Sequence, residues 1–280
     1  MKYSEVLFTC KGGPEWHRDL FMQELADIGF DTFEEHDNGF SAFIASAQLD
    51  IALLDSLILR QPDGFEVSYT HQEIAPQNWN AVWESNFEPV TIGEVCYVRA
   101  TFHEPKPEFR YEIVIEPKMS FGTGHHQTTS LIMRYMLDTT FTAKRVLDMG
   151  CGTGILAILA IKLGAAGVLA VDNDPVCIDS VVENAQMNDA PDIEAKLGSA
   201  EVIDGMQFDT ILANINRNIL LDQLESYSRC LEKGGSLYMS GFYDGADLAA
   251  LQAAGEKVAL AYREHRVLDG WAAARFTKTN

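Results

Sequence analysis

Hydrophobic and polar positions change period repeatedly along the first 75 residues. Residues 3–9, YSEVLFT, alternate as a half-buried strand does. From Pro14 to Ile28 the apolar positions recur at helical spacing and stop at Gly29. DTFEEHDNGFSAFIAS reads as a hairpin turning at Asn38-Gly39. LDIALLDSLILR returns to helical spacing, and GFEVSYTHQEI reads as a further strand. The order β-α-β-β-α-β predicts a small α+β, ferredoxin-like domain over residues 1–75.

APQNWNAVWESNFEPV predicts a linker at 76–89 with a short helix, its Trp79, Trp83 and Phe87 spaced as packing anchors. CYVRATF and RYEIVIEP predict two strands. Beyond residue 125 strand and helix alternate: a helix over 127–137, then RVLDM, ILAILAIKLGA, VLAVD and a helix from Pro175 to Met187. DIEAKLG, FDTILAN and SLYMSG follow as strands, and two more meet at Asp269-Gly270. This is the pattern of an α/β domain over 90–280, a doubly wound, mostly parallel seven-stranded sheet with a closing antiparallel hairpin.

Charge sharpens the division. The net charge is −20, and residues 1–100 hold 5 Lys/Arg against 17 Asp/Glu. Such a surface repels phosphates, which argues against direct nucleic-acid binding, and attracts basic partners. No apolar run reaches the length of a membrane span, and MKYSEVLFTC lacks the character of a signal peptide. The five cysteines are scattered without C-x-x-C spacing, which predicts free thiols and a reducing cytoplasm.

The chemistry gathers at strand ends. VLDMGCGTG, residues 146–154, places glycines between a strand and a helix, where backbone can approach a ligand closely. A dinucleotide fingerprint starting at Gly150 needs Gly or Ala at position 155, and Ile155 stands there. Asp148, at the strand end, suits a ligand with an amine or hydroxyls better than a pyrophosphate. Asp172 ends the next strand, 22 residues past Gly150, and can accept from both hydroxyls of a ribose. Ser199 in LGSAE fits either an adenine neighbour or a simple turn. Asn214 ends FDTILAN in the crevice where doubly wound sheets bind ligands.

VLDMGCGTG, VLAVDNDP and FDTILANI together resemble the sequential motifs of class I S-adenosylmethionine-dependent methyltransferases. With KMSFGTGHHQTTSL and NWNAVWESNF, the chain resembles the bacterial ribosomal-protein methyltransferases called PrmA. The resemblance covers about the last 200 residues in motifs and the first domain in order of elements only. It implies S-adenosylmethionine as cofactor, no metal, and methylation of lysine and N-terminal amines on a basic protein, protein eleven of the large ribosomal subunit. Cofactor contacts are then expected at Phe121, Thr129, Gly150, Gly152, Asp172, Ser199 and Asn214, with Asn214 also orienting the acceptor amine. NINR replaces the N-P-P-Y of many amine and amide methyltransferases, as it does in the resembled family.

SFGTGHHQTTS, residues 120–130, then reads as a flap over the cofactor. Gly122 and Gly124 let its backbone bend, and the helix after them offers N–H groups to a carboxylate. Adjacent His125 and His126 diverge and do not share one metal readily. Such a flap is expected to be a mobile surface loop whose glycines can be replaced at little thermal cost. An NAD-dependent oxidoreductase and a non-catalytic cofactor-binding module are the alternatives. The acidic first domain is expected to hold the basic substrate.

Overall fold

A computed structural model describes residues 2–14, 16–74, 87–117 and 122–279. The chain divides into two compact units, Met1–Asn86 and Phe87–Asn280. The expected helix within 76–89, with Trp79 and Trp83, falls outside the described residues, as does Phe121.

The first unit runs β1 (Tyr3–Lys11), α1 (Trp16–Asp27), β2 (Thr32–His36), β3 (Gly39–Ala45), α2 (Ile51–Leu59) and β4 (Glu66–Ile74). Its sheet order is β2-β3-β1-β4, with each neighbouring pair antiparallel. β3 therefore lies between the two strands that α1 connects, which is the split βαβ arrangement. Alternation puts Val6 and Phe8 on one face, where they join Phe40, Ile44, Phe21, Leu25 and Leu54 in a single core. Phe8 stacks on Phe40 with centroids 5.0 Å apart and takes the edge of Phe21 at 5.4 Å. Asp50 caps α2 by accepting from the Leu53 N–H at 3.0 Å.

The second unit opens with a three-stranded sheet of β5 (Val90–Ile92), β6 (Cys96–Arg99) and β7 (Tyr111–Val114). The alternating part then follows: α3 (Gln127–Leu137), β8 (Arg145–Met149), α4 (Ile155–Lys162), β9 (Gly167–Asp172), α5 (Pro175–Met187) and β10 (Ile193–Leu197). After it come β11 (Phe208–Asn214), α6 (Arg217–Cys230), β12 (Leu231–Tyr243), α7 (Ala246–Lys257), β13 (Leu260–Leu268) and β14 (Trp271–Lys278). The seven strands lie in the order β10-β9-β8-β11-β12-β14-β13. Pairing is parallel from β10 to β12, and β14 is antiparallel to both its neighbours.

Both faces of this sheet are buried, which is why its strands read as apolar runs. In β8, Val146 joins the core under α3, α4 and α5, while Leu147 and Met149 join the core under α6 and α7. Chain order reverses at β8, whose neighbours are β9 on one side and β11 on the other. A crevice opens beyond the carboxyl ends of the strands at such a point.

Asn184 of α5 and Asn188, which caps the end of that helix, fasten the end of β7 and the residues after it to this frame. Asn188 Oδ1 accepts from Val114 N at 2.9 Å, and its Nδ2 donates to Val114 O at 2.6 Å. Asn184, fully buried, accepts from Glu116 N at 2.9 Å and donates to Thr153 O at 2.8 Å.

Candidate active site

A cleft of about 560 Å³ opens at the strand reversal, beyond β8, β9 and β11. Gly150, Gly152, Asp172 and Asn214 line it, as the motif spacing predicts. Gly150 leaves β8 at φ +70°, and a Cβ there would stand 2.1 Å from Ile215 Cγ2. Only glycine lets the two strand ends come this close. The Gly150 and Cys151 N–H groups both donate to Val171 O, at 2.8 and 3.1 Å, which ties the loop to β9.

Asp172 is held by backbone donors on both oxygens. Gly152 N donates to Oδ2 at 3.0 Å and Asp174 N to Oδ1 at 3.1 Å. Each oxygen keeps a further lone pair for a ligand hydroxyl. Asp174 in turn caps α5 by accepting from Val176 N at 2.9 Å.

Asp148 behaves differently from the sequence expectation. It is 1% exposed and absent from the lining of the cleft. Its Oδ2 accepts from Ala157 N at 3.1 Å, and its Oδ1 has no partner among the described residues. Burial pushes its carboxyl up to about 7, against the Ala157 hydrogen bond and with some help from the Asp172 charge. It braces the glycine loop from below instead of facing a ligand amine.

Thr129 is also set back. It is 1% exposed, and its hydroxyl accepts from Asn214 Nδ2 at 3.1 Å, while Thr128 takes the lining position. Asn214 Oδ1 is thereby left buried without a partner. Ser199 is not in the lining: its hydroxyl accepts from Gln223 Nε2 at 2.7 Å, and its N–H donates to Glu201.

The two histidines diverge. His125 Nε2 meets Glu88 O at 2.7 Å and Nδ1 meets the Thr123 hydroxyl at 3.0 Å. His126 caps α3, its Nδ1 accepting from Thr128 N at 3.3 Å and facing the Thr128 hydroxyl at 2.8 Å. The glycines before them are packed, contrary to the expectation of a loose loop. Gly122 O accepts from Thr153 Oγ1 at 2.5 Å, and Gly124 is buried with Ile155 and Val98 beside it.

His126 of SFGTGHHQTTS joins the lining, and Asn216, Ile219, Gly241 and Trp271 complete much of it without having been singled out in the sequence. Gly241 stands at the carboxyl end of β12, so the strand-end rule that found Asn214 also points to it. Trp271 enters from β14, and no short motif links it to the rest.

Comparison with known proteins settles the lineage. Residues 29–279 match the family model described as ribosomal protein L11 methyltransferase (PrmA). The chain belongs to the ribosomal protein L11 methyltransferase family. One family member, from Porphyromonas gingivalis, is 46% identical over 99% of this chain and 98% of its own length. Another, from Bacteroides fragilis, is 40% identical over 99% of both chains. The crystal structure of ribosomal protein L11 methylase from Lactobacillus delbrueckii subsp. bulgaricus superposes with a TM-score of 0.65 at 28% identity. It covers 69% of this chain and 100% of its own. Membership makes the chain a methyltransferase, and Ile155, which opens α4 and is 2% exposed, fits no dinucleotide fingerprint.

Proposed function

We propose that this chain transfers methyl groups from S-adenosylmethionine to lysine and N-terminal amino groups of ribosomal protein L11. The observation that carries the reading is Asn214 in the lining of the cleft, its Oδ1 a neutral acceptor that is buried and unpartnered among the described residues. The cleft fits the cofactor: Asp172 offers acceptors for ribose hydroxyls, Gly150 leaves room for backbone approach, and the N-terminus of α3 suits a carboxylate. When bound, S-adenosylmethionine supplies the methyl carbon, which bonds to the amine nitrogen as its bond to sulfur breaks.

A lysine must reach that carbon as a neutral amine, and its ordinary pKa is about 10.4. Burial lowers that value, whereas a carboxylate beside the nitrogen raises it. Asn214 Oδ1 can accept one amine N–H and so aim the lone pair without stabilising the ammonium form. The Thr129 hydroxyl holds Asn214 Nδ2 and fixes the direction of Oδ1. His126 Nδ1 faces Thr128 N and the Thr128 hydroxyl, which turns this nitrogen to capping α3. Alignment and desolvation are left as the main contributions.

Residues 1–75 carry none of the cofactor residues, and we assign them to docking the basic substrate, with residues 76–89 as the connector. The family's substrate and the absence of a helix long and apolar enough to cross a membrane, among the described residues, support action in the cytoplasm. The test is incubation of the purified chain with methyl-labelled S-adenosylmethionine and separated large-subunit proteins. Label on amines of L11 is expected, and label on RNA alone, or none, would overturn the reading.

A further inference from the structure

The lining of the cleft changes character along its length. Toward β9 it carries Asp172 and Asp174; around the end of β11 it carries Asn214, Ile215 and Ile219, with Trp271 added from β14. No carboxylate lies among the described lining residues of this second part.

Trp271 does not stand alone there. Its ring stacks on that of Tyr243, with centroids 4.2 Å apart and planes at 28°, and receives the His126 ring edge-on at 4.9 Å. Tyr243 is 54% exposed and lies directly opposite Trp271 in the antiparallel β12–β14 ladder, which brings the two rings together. Asp247, at the start of α7, adds a hold on this strand end: its Oδ2 accepts from Tyr243 N at 3.1 Å. Its Oδ1 accepts from Arg217 Nη1 at 2.7 Å, and Arg217 opens α6 three residues after Asn214. The Arg217 hydrogen bond keeps the Asp247 carboxyl below its ordinary range, so it stays an acceptor at neutral pH. One carboxylate outside the cleft thus ties together the segment after β11 and the segment that ends β12.

We infer that the Trp271 ring, braced by Tyr243 and positioned through Asp247, is the subsite for the aliphatic chain of the acceptor amine. The chemistry is that of a long alkyl group ending in nitrogen. Methylene groups gain by covering an apolar ring, and the face of an indole attracts the methylated ammonium that each transfer leaves. Removing the chain from water there also favours the neutral amine at Asn214. This subsite deepens the methyl-transfer reading above and rests on it.

The test compares wild type with Trp271→Leu, Trp271→Phe, Asp247→Asn and the Trp271→Leu/Asp247→Asn double variant. Methyl transfer to ribosomal protein L11 gives kcat and KM, and calorimetry gives affinity for S-adenosylhomocysteine. Trp271→Leu is expected to raise KM about tenfold, with cofactor-product affinity held within about twofold. Trp271→Phe recovers most of the loss because a ring face remains. Asp247→Asn reproduces part of it, and adds nothing on the Trp271→Leu background, since it acts through the ring. Additive effects would mean that Asp247 is only structural, and the inference would lose its second half. Should Trp271→Leu leave kcat/KM within about twofold, or lose product affinity in step with kcat/KM, the ring is no acceptor subsite. If Trp271→Leu does not fold, an unchanged KM in Asp247→Asn overturns the inference. A wild type that methylates no protein overturns both this subsite and the reading beneath it.

Discussion

Asn214 Nδ2 donates to the Thr129 hydroxyl at 3.1 Å, across 85 positions of sequence. A side chain on a strand end and one inside the first turn of a helix thus share the task of aiming a single oxygen. Asn214→Ala removes the aimed acceptor and is expected to cut kcat/KM by about a hundredfold or more. Thr129→Val leaves the amide without its anchor and is expected to cost about tenfold. Single-turnover methylation with matched circular dichroism spectra decides; a Thr129→Val enzyme of full speed would mean that the anchor is idle.

Asp172→Ala is expected to weaken S-adenosylhomocysteine binding by about 1.5–3 kcal/mol per lost charge-assisted bond. The same change frees Gly152 N and Asp174 N, so part of the loss reflects a loosened loop. Calorimetry showing unaltered affinity in a folded variant takes Asp172 out of the site.

Gly122→Val should impair cofactor binding and also lower Tm. Its φ is +111°, and a Cβ would stand 2.8 Å from Thr153 Oγ1. Backbone strain of this kind costs about 1–3 kcal/mol. A variant melting with wild type would show that the segment re-forms without the Thr153 contact.

The Asp148 carboxyl sits at about 7 in the folded chain, above the ordinary aspartate value. For an acid raised by folding, the unfolded state ionises first as pH rises. Stability is then full below about pH 4 and drains away up to about pH 7. Asp148→Asn removes that titration, so its Tm relative to wild type should climb between pH 5 and pH 8. Parallel melting curves for the two proteins across that range count against a buried, titrating Asp148.

A chain begun at Phe87 should keep cofactor affinity and lose methylation of the intact ribosomal protein. Starting there retains Glu88 O for His125 and Phe87 O for His103, which lie 2.7 and 2.6 Å from the imidazoles. Full-length activity should also fall with salt, because exposed charges are screened beyond about 8 Å at physiological ionic strength. Equal rates for the short and full chains would remove the docking role from the first unit.

What was readable in the sequence followed from local rules. Gly150, Asp172 and Asn214 were legible because they stand at the carboxyl ends of the adjacent strands β8, β9 and β11, where the reversal of order opens a crevice. Thr128 lines the cleft while Thr129, about 100° further round the helix, reaches Asn214 instead, a division that the motif alone does not show. Asp148 stands at a strand end too, yet its carboxylate turns under the loop to Ala157, a choice no spacing reveals. β5 spans Val90–Ile92, too short for an alternation signal. The Trp271–Tyr243 stack depends on β14 inserting beside β12, a pairing that joins distant stretches.

Asn184 in α5 and Asn188 at its C-cap do for the end of β7 what a neighbouring strand would do. Asn184 and Asn188 lie about one helical turn apart, about 6 Å. They meet Val114, the last residue of β7, and Glu116 two residues beyond it, a span of about 6.6 Å for extended chain. The match works as a vernier: only one setting of the strand against the helix satisfies both amides. Slipping the strand by one residue would turn every side chain over and leave both amides unpaired. The segment that carries Gly122 and the histidines therefore departs from a datum fixed by α5, the helix whose first turn stands beside Asp172. Lengthening the chain by a single residue between Val114 and Glu116 would mis-set the reach to the cleft while leaving every residue of the cleft intact.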